Sequence, residues 1–185
     1  MTTVDTPSPV VPADVGVVRD FVNTTDHELG TDDLTAPADL TAYLHGAGLI
    51  GRRTRSTDDD LALARQLRVG LRRALELNHV GASAPVPELD ATLDQLPLEL
   101  RWTGDRVALV PTDDGVRGGL ARVAIAMSDA VAEGIWWRLK ICSSDECEWA
   151  YYDKSKNRSA RWCEYGCGDK LKMRAYRARQ RAKTS

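Results

Sequence analysis

Every cysteine in the chain falls within the stretch "CSSDECEWAYYDKSKNRSARWCEYGCGDK". The spacing is C-x4-C, then fifteen residues, then C-x3-C, formed by Cys142, Cys147, Cys163 and Cys167. No other feature constrains the fold as tightly. Two short knuckles deliver four thiolates from different directions, and a tetrahedral ion holds such sulfurs at about 2.3 Å. The intervening residues are long enough to fold back, and Gly166 and Gly168 beside Cys167 ease a tight turn. Two disulfides, a thiol redox switch or an iron–sulfur cluster would use the same residues. The paired knuckles favour a single Zn²⁺. Four protein sulfurs leave no position for water, so the ion is expected to be structural, folding a segment too small for its own core.

Charge is distributed just as unevenly. From Met1 to Trp137 there are 12 Lys+Arg against 21 Asp+Glu, a balance of −9; from Arg138 to Ser185 there are 13 against 6, a balance of +7. Every lysine lies in the second segment. An acidic body with a basic terminal piece points to a polyanionic partner, although some of the cations offset the thiolates around the metal.

Beyond Cys167, "GDKLKMRAYRARQRAK" has helical spacing. Leu171, Ala175 and Ala178 make a narrow apolar stripe expected to lie against the zinc module. Lys170, Arg174, Arg177 and Arg181 follow one another on another face, extended by Lys172 and Arg179. A second cluster, Lys154, Lys156, Arg158 and Arg161, lies between the cysteine pairs. Arginine outnumbers lysine in the helix, which suits phosphate and guanine recognition. The expected partner is double-stranded DNA, with RNA or an acidic protein as alternatives. The expected contacts are Lys154, Lys156, Arg158, Arg161, Lys170, Lys172, Arg174, Arg177 and Arg179. Trp136, Trp137, Trp149, Tyr151, Tyr152, Trp162, Tyr165 and Tyr176 crowd this region. They are expected to wrap the metal site and join it to the larger domain; stacking on bases is the alternative.

The preceding residues read as a mainly α, α+β domain. Residues 1–12 form a Pro-, Ser- and Thr-rich lead-in, expected to be flexible. Val11, Val15, Val18 and Val22 then mark a helix, and "TAPADLTAYLHGAGL" a second with Pro37 in its first turn. "STDDDLALARQLRVGLRRALELNHVG" is the strongest helix signal, with Ser56 as its expected cap, Gly81 as its stop, and Leu63, Leu67, Leu71, Ala74 and Leu75 on one face. A helix around "PELDATLDQL", a hairpin from "LELRW" and "RVALV", and a largely buried helix in "GGLARVAIAMSDAVAEG" complete it. The domain is expected to span 13–134 and the zinc module 135–185. The scattered His27, His45 and His79 stand in no nucleophile motif, so no catalytic residue is assigned and no enzyme is expected. The chain has no signal-like or membrane-spanning run, and a cytoplasmic location is expected.

The segment "RLKIC…CEWAYYDKSKNRSARWCEYGCGDKLKMRAYRARQR" closely resembles the CGNR zinc finger. The preceding part resembles the ABATE domain through "RDFVNT" and "DLTAYLHGAGL". Cys167, Gly168, Asp169 and Lys170 stand where that family has Cys-Gly-Asn-Arg, which removes a bidentate arginine. Asp20, Asn23 and Thr24 match the "DFVNT" signature, with helix capping or a ligand pocket as their candidate roles. The resemblance implies a bacterial, DNA-binding transcription regulator; the N-terminal domain is expected to sense an effector or form a homodimer. A ligand-binding or protein-interaction module with a purely structural zinc is the alternative.

Overall fold

The computed structural model describes residues 11–184. Most of the 1–12 lead-in lies outside the described residues. The described residues form six α-helices and three two-stranded antiparallel sheets. Helix α1 (Ala13–Val22) is followed by a short hairpin, β1 (Thr25–Asp26) and β2 (Thr31–Asp32), then α2 (Pro37–Gly46), α3 (Asp58–Val80) and α4 (Pro87–Leu93). Strands β3 (Leu98–Trp102) and β4 (Val107–Pro111) make the second hairpin, and α5 (Val116–Ala132) closes the helical body.

The long helix α3 carries the core. Leu61, Leu63, Ala64, Leu67, Leu71 and Leu75 are all buried on one side of the helix. Its cap is Thr57, not Ser56. The Thr57 hydroxyl accepts from the Asp60 amide at 3.2 Å, and the Asp60 carboxylate accepts from the Thr57 amide at 2.9 Å. Ser56 instead hydrogen-bonds Thr41, so the reciprocal bond to Asp60 decides between the two hydroxyls. At the other end Gly81 takes φ +69, the left-handed conformation that stops the helix. Gly70 lets α4 approach α3, because a Cβ there would sit 2.8 Å from the Leu89 backbone. Val15, Val18, Phe21 and Val22 of α1 and Leu120, Ala121, Val123 and Ala124 of α5 fill the rest of the core.

A third hairpin follows a 3₁₀ turn at Trp136–Arg138. Strand β5 (Leu139–Ile141) pairs with β6 (Ala150–Tyr152) in the register Leu139↔Tyr152, Lys140↔Tyr151, Ile141↔Ala150. Neither strand was anticipated from the sequence. Side chains alternate across a strand, so Leu139, Ile141 and Ala150 face the helical core while Tyr151 faces the cysteine cluster. The hairpin is thus a wall shared by two cores. The last helix, α6 (Cys167–Thr184), begins at the fourth cysteine.

Candidate zinc centre and nucleic-acid interface

The C-x4-C knuckle leaves β5, and the second pair returns beside it. The amide of Ser143 donates to the Arg161 carbonyl at 2.9 Å, and that of Cys142 to Trp149 at 2.9 Å. Cys142, Cys147, Cys163 and Cys167 are all buried, and their sulfurs lie within 4.8 Å of one another. Cys147 and Cys163 are 3.7 Å apart, and Cys163 and Cys167 3.6 Å. A disulfide requires about 2.0 Å, whereas sulfurs on a tetrahedral zinc stand roughly 3.8 Å apart. Burial pushes the Cys147 thiol up to about 12 and raises that of Cys163 as well, so the thiolates need a cation beside them. The donor set fits one zinc ion, held by these four residues.

The packing explains the small residues. Gly168 lies against Trp162, where a Cβ would come to 3.1 Å from the indole ring. Gly166, at φ +80, makes the turn before α6. Arg161 lies over the Trp162 ring at 5.5 Å, and Trp149 meets Tyr165 edge-on at 5.8 Å. The expected wrapping by aromatics holds for Trp149, Tyr151 and Trp162, which pack with the cysteines. It fails for Tyr176, which is half-exposed on α6.

The loop between the cysteine pairs is organised by a buried ion pair that no local sequence pattern marks. Asp153 is 0% exposed and accepts from Lys140 Nζ at 2.8 Å. Its carboxylate also accepts from the Ser155 amide at 2.9 Å and the Ala160 amide at 3.1 Å. Burial pushes the Asp153 carboxyl up, but the Lys140 and Ser155 hydrogen bonds outweigh it and hold the group below the usual carboxylate range. Lys140 also donates to the Arg158 carbonyl, where the chain takes φ +53. So braced, the loop presents Lys154, Lys156, Arg158 and Arg161 to solvent.

The module is fastened to the helical body by side chains that bond its backbone. Asn23 donates from Nδ2 to the Ala150 carbonyl at 2.9 Å and accepts from the Ala150 amide at 2.8 Å, imitating a neighbouring strand. This gives Asn23 a role the sequence left open. Thr24 accepts from Arg68, which also holds Asp32, while Asp20 is exposed and paired with Arg19. From α3, Asn78 donates to the Trp136 and Leu139 carbonyls, Arg72 to Glu148 and Val22, and His79 Nε2 lies 2.6 Å from Ser143 Oγ. The signal for Asn78 was a polar residue at a core position of the α3 stripe.

Helix α6 departs from expectation. Leu171 is partly buried, but Ala175 and Ala178 are exposed, so the apolar stripe does not lie against the module. Cys167 and Gly168 anchor the first turn. From Lys172 to Arg181 every residue is exposed, and the helix stands out as a basic rod. Two of its cations are engaged near the root: Lys170 with Glu28 at 2.8 Å, and Arg174 with both carboxylate oxygens of Glu146 at 2.8 and 3.0 Å. Lys172 lies 3.4 Å from Asp169.

A helical body carrying a four-cysteine zinc centre, with a basic helix leaving the last ligand, defines a zinc-finger protein. Family comparison makes this particular. The model of the CGNR zinc finger matches residues 138–180, and that of ABATE, described as "putative stress-induced transcription regulator", matches residues 17–134. The chain belongs to the ABATE family and carries a C-terminal CGNR zinc finger. No curated protein matches it. No helix among the described residues is long and apolar enough to cross a membrane.

Proposed function

We propose that this chain is a non-catalytic, cytoplasmic transcription regulator that binds double-stranded DNA. In this reading residues 135–185 make the contact, and residues 13–134 sense an effector or bring two copies together. The supporting observation is the rod: α6 leaves a metal ligand in a fixed direction, spans roughly 27 Å, and exposes Lys172, Arg174, Arg177 and Arg179. A helix of that girth fits the major groove. The exposed Lys154, Lys156, Arg158 and Arg161 are suited to the flanking phosphates. Asp169 and Lys170 hold the ground of the family's Asn-Arg, and Lys170 is tied to Glu28, so specificity falls to arginines farther along the helix. A filter-binding salt titration with duplex DNA is the test. Each neutralised phosphate steepens the decline of log K with log salt by about 0.9. A flat response overturns the reading.

One observation favours a second reading, ligand binding. A cleft of about 340 Å³ lies between α1 and the zinc module, lined by Arg19, Asp20, Trp149, Tyr152, Trp162 and Glu164 among others. That size accommodates a small aromatic molecule, and occupancy would alter indole fluorescence. A small-molecule panel that leaves both that fluorescence and the melting temperature unchanged argues against it.

A further inference from the structure

The loop between α2 and α3 gathers positive charge in a body that is otherwise acidic. Residues to Trp137 carry a balance of −9. Two adjoining clefts, of about 680 and 490 Å³, share Arg52 in their linings. Arg53, Arg122 and Asp114 line the larger and Arg55 the smaller. Four arginines thus stand against one carboxylate, a local balance of +3. Asp114 is already committed to Arg122 at 2.9 Å. Among the described residues the Arg52 and Arg53 side chains have no hydrogen-bond or ion-pair partner, whereas Arg19, Arg68, Arg73 and Arg101 each pair with a carboxylate. The end of α2 does not account for these cations, because the amides of Ala47, Gly48 and Leu49 close its last carbonyls.

The loop is also held in shape. The Leu49 carbonyl accepts from Arg122 at 3.1 Å, the Thr54 amide donates to Gly51 at 3.0 Å, and the Ser56 amide to Thr41 Oγ1 at 2.9 Å. Arg55 donates to the Arg52 and Thr54 carbonyls at 3.0 and 2.8 Å, which ties its guanidinium to the loop. At Gly119 of α5 a Cβ would come to 2.5 Å from Ile50 Cγ2, so glycine there lets the loop lie close. Cations fixed along a concave surface focus their field and favour an anion within it. We propose that these clefts bind a small phosphorylated molecule, with Arg52 and Arg53 gripping the phosphate. Arginine forks match phosphate oxygens two at a time, and a phosphate ester carries close to two negative charges at neutral pH. A lone carboxylate would leave most of the local charge uncompensated. Location favours a small molecule over the DNA of the reading above. About 30 Å of helix separates the first turn of α3, beside this loop, from Asn78, which bonds the zinc module. The proposal gives the sensed effector a chemical class; it rests on the sensing reading for its consequence and not for the binding itself.

Isothermal titration calorimetry with inorganic pyrophosphate tests it, using the full chain with zinc bound and sodium chloride of equal ionic strength as control. The wild type is expected to bind. The double variant Arg52→Gln, Arg53→Gln is expected to lose affinity about tenfold or more, with unchanged circular dichroism and zinc content. Arg106→Gln removes an exposed arginine between β3 and β4 and is expected to bind like the wild type. A wild type that gives no heat beyond the chloride control, or a double variant that binds as tightly, overturns the proposal. Duplex DNA separates the two sources of phosphate. The double variant is expected to keep the wild-type salt slope for duplex; a slope shallower by about two contacts assigns the loop to the DNA backbone and overturns the small-molecule assignment. Pyrophosphate binding by a chain that ignores duplex DNA upholds this proposal and removes only the DNA reading.

Discussion

Substituting Asp153 tests the internal logic of the zinc module most directly. Asp153→Ala removes a carboxylate that is fully buried and accepts from Lys140 and from the Ser155 and Ala160 amides. Lys140, itself 5% exposed, then stays in the interior with no counter-charge. Breaking one side of a buried pair costs about 3–5 kcal/mol, mostly because the survivor is stranded. The two released amides would add to that if water could not reach them. Urea unfolding at neutral pH with zinc present, followed by tryptophan fluorescence, measures the loss. The pH dependence has a definite sign. The folded carboxyl is held below its ordinary value, so its stabilisation is complete above the unfolded pKa near 4 and fades as pH falls through the lower folded one. The variant should lack that acid-range component. Lys140→Met alone should cost a similar amount, while the double variant should cost far less than the two singles together. A loss below about 1 kcal/mol for Asp153→Ala, or strict additivity in the cycle, would refute the claim that this pair organises the loop.

Three further predictions concern the metal, the docking and the rod. Cys163→Ser, or chelation of the wild type, should abolish stoichiometric zinc by metal analysis and open the 142–167 segment to proteolysis, while the α1–α5 body keeps its helical signal. Asn23→Ala leaves the Ala150 amide and carbonyl without their partner, and should lower stability by about 2 kcal/mol in denaturant unfolding, with a rise in hydrogen exchange in β6. Glu146→Gln removes the carboxylate that holds Arg174; under the DNA reading, duplex affinity should rise several-fold and the salt slope steepen by about one contact.

What could be read from the sequence followed from periodicity and from thiol spacing. The α3 stripe, the Gly81 stop and the β3–β4 hairpin each follow from a local pattern that one element can satisfy alone. The cysteine spacing carries the metal site, because coordination geometry is intrinsic to the ion. What escaped was determined by partners distant in the chain. Lys140 looked like one more cation of a basic segment, and only its pairing with Asp153 thirteen residues on makes it part of the interior. Strands β5 and β6 are three residues each, too short for alternation to register, and their backbone is held by Asn23 after α1 and by Asn78 of α3. Ala175 and Ala178 invited a packing face, yet helical spacing states which residues share a side and not whether anything lies against it.

The exposed length of α6 has a thermodynamic consequence. A lone helix of this size is near break-even in water, and here Lys170, Arg174, Arg177 and Arg181 follow one another about a turn apart, with Glu28 and Glu146 offsetting the first two. Under the DNA reading, a polyanion that screens those charges is expected to steady the outer turns as it binds. Ala175 and Ala178 are exposed, so under the DNA reading replacing them with glycine should weaken binding through ordering entropy rather than through a lost contact.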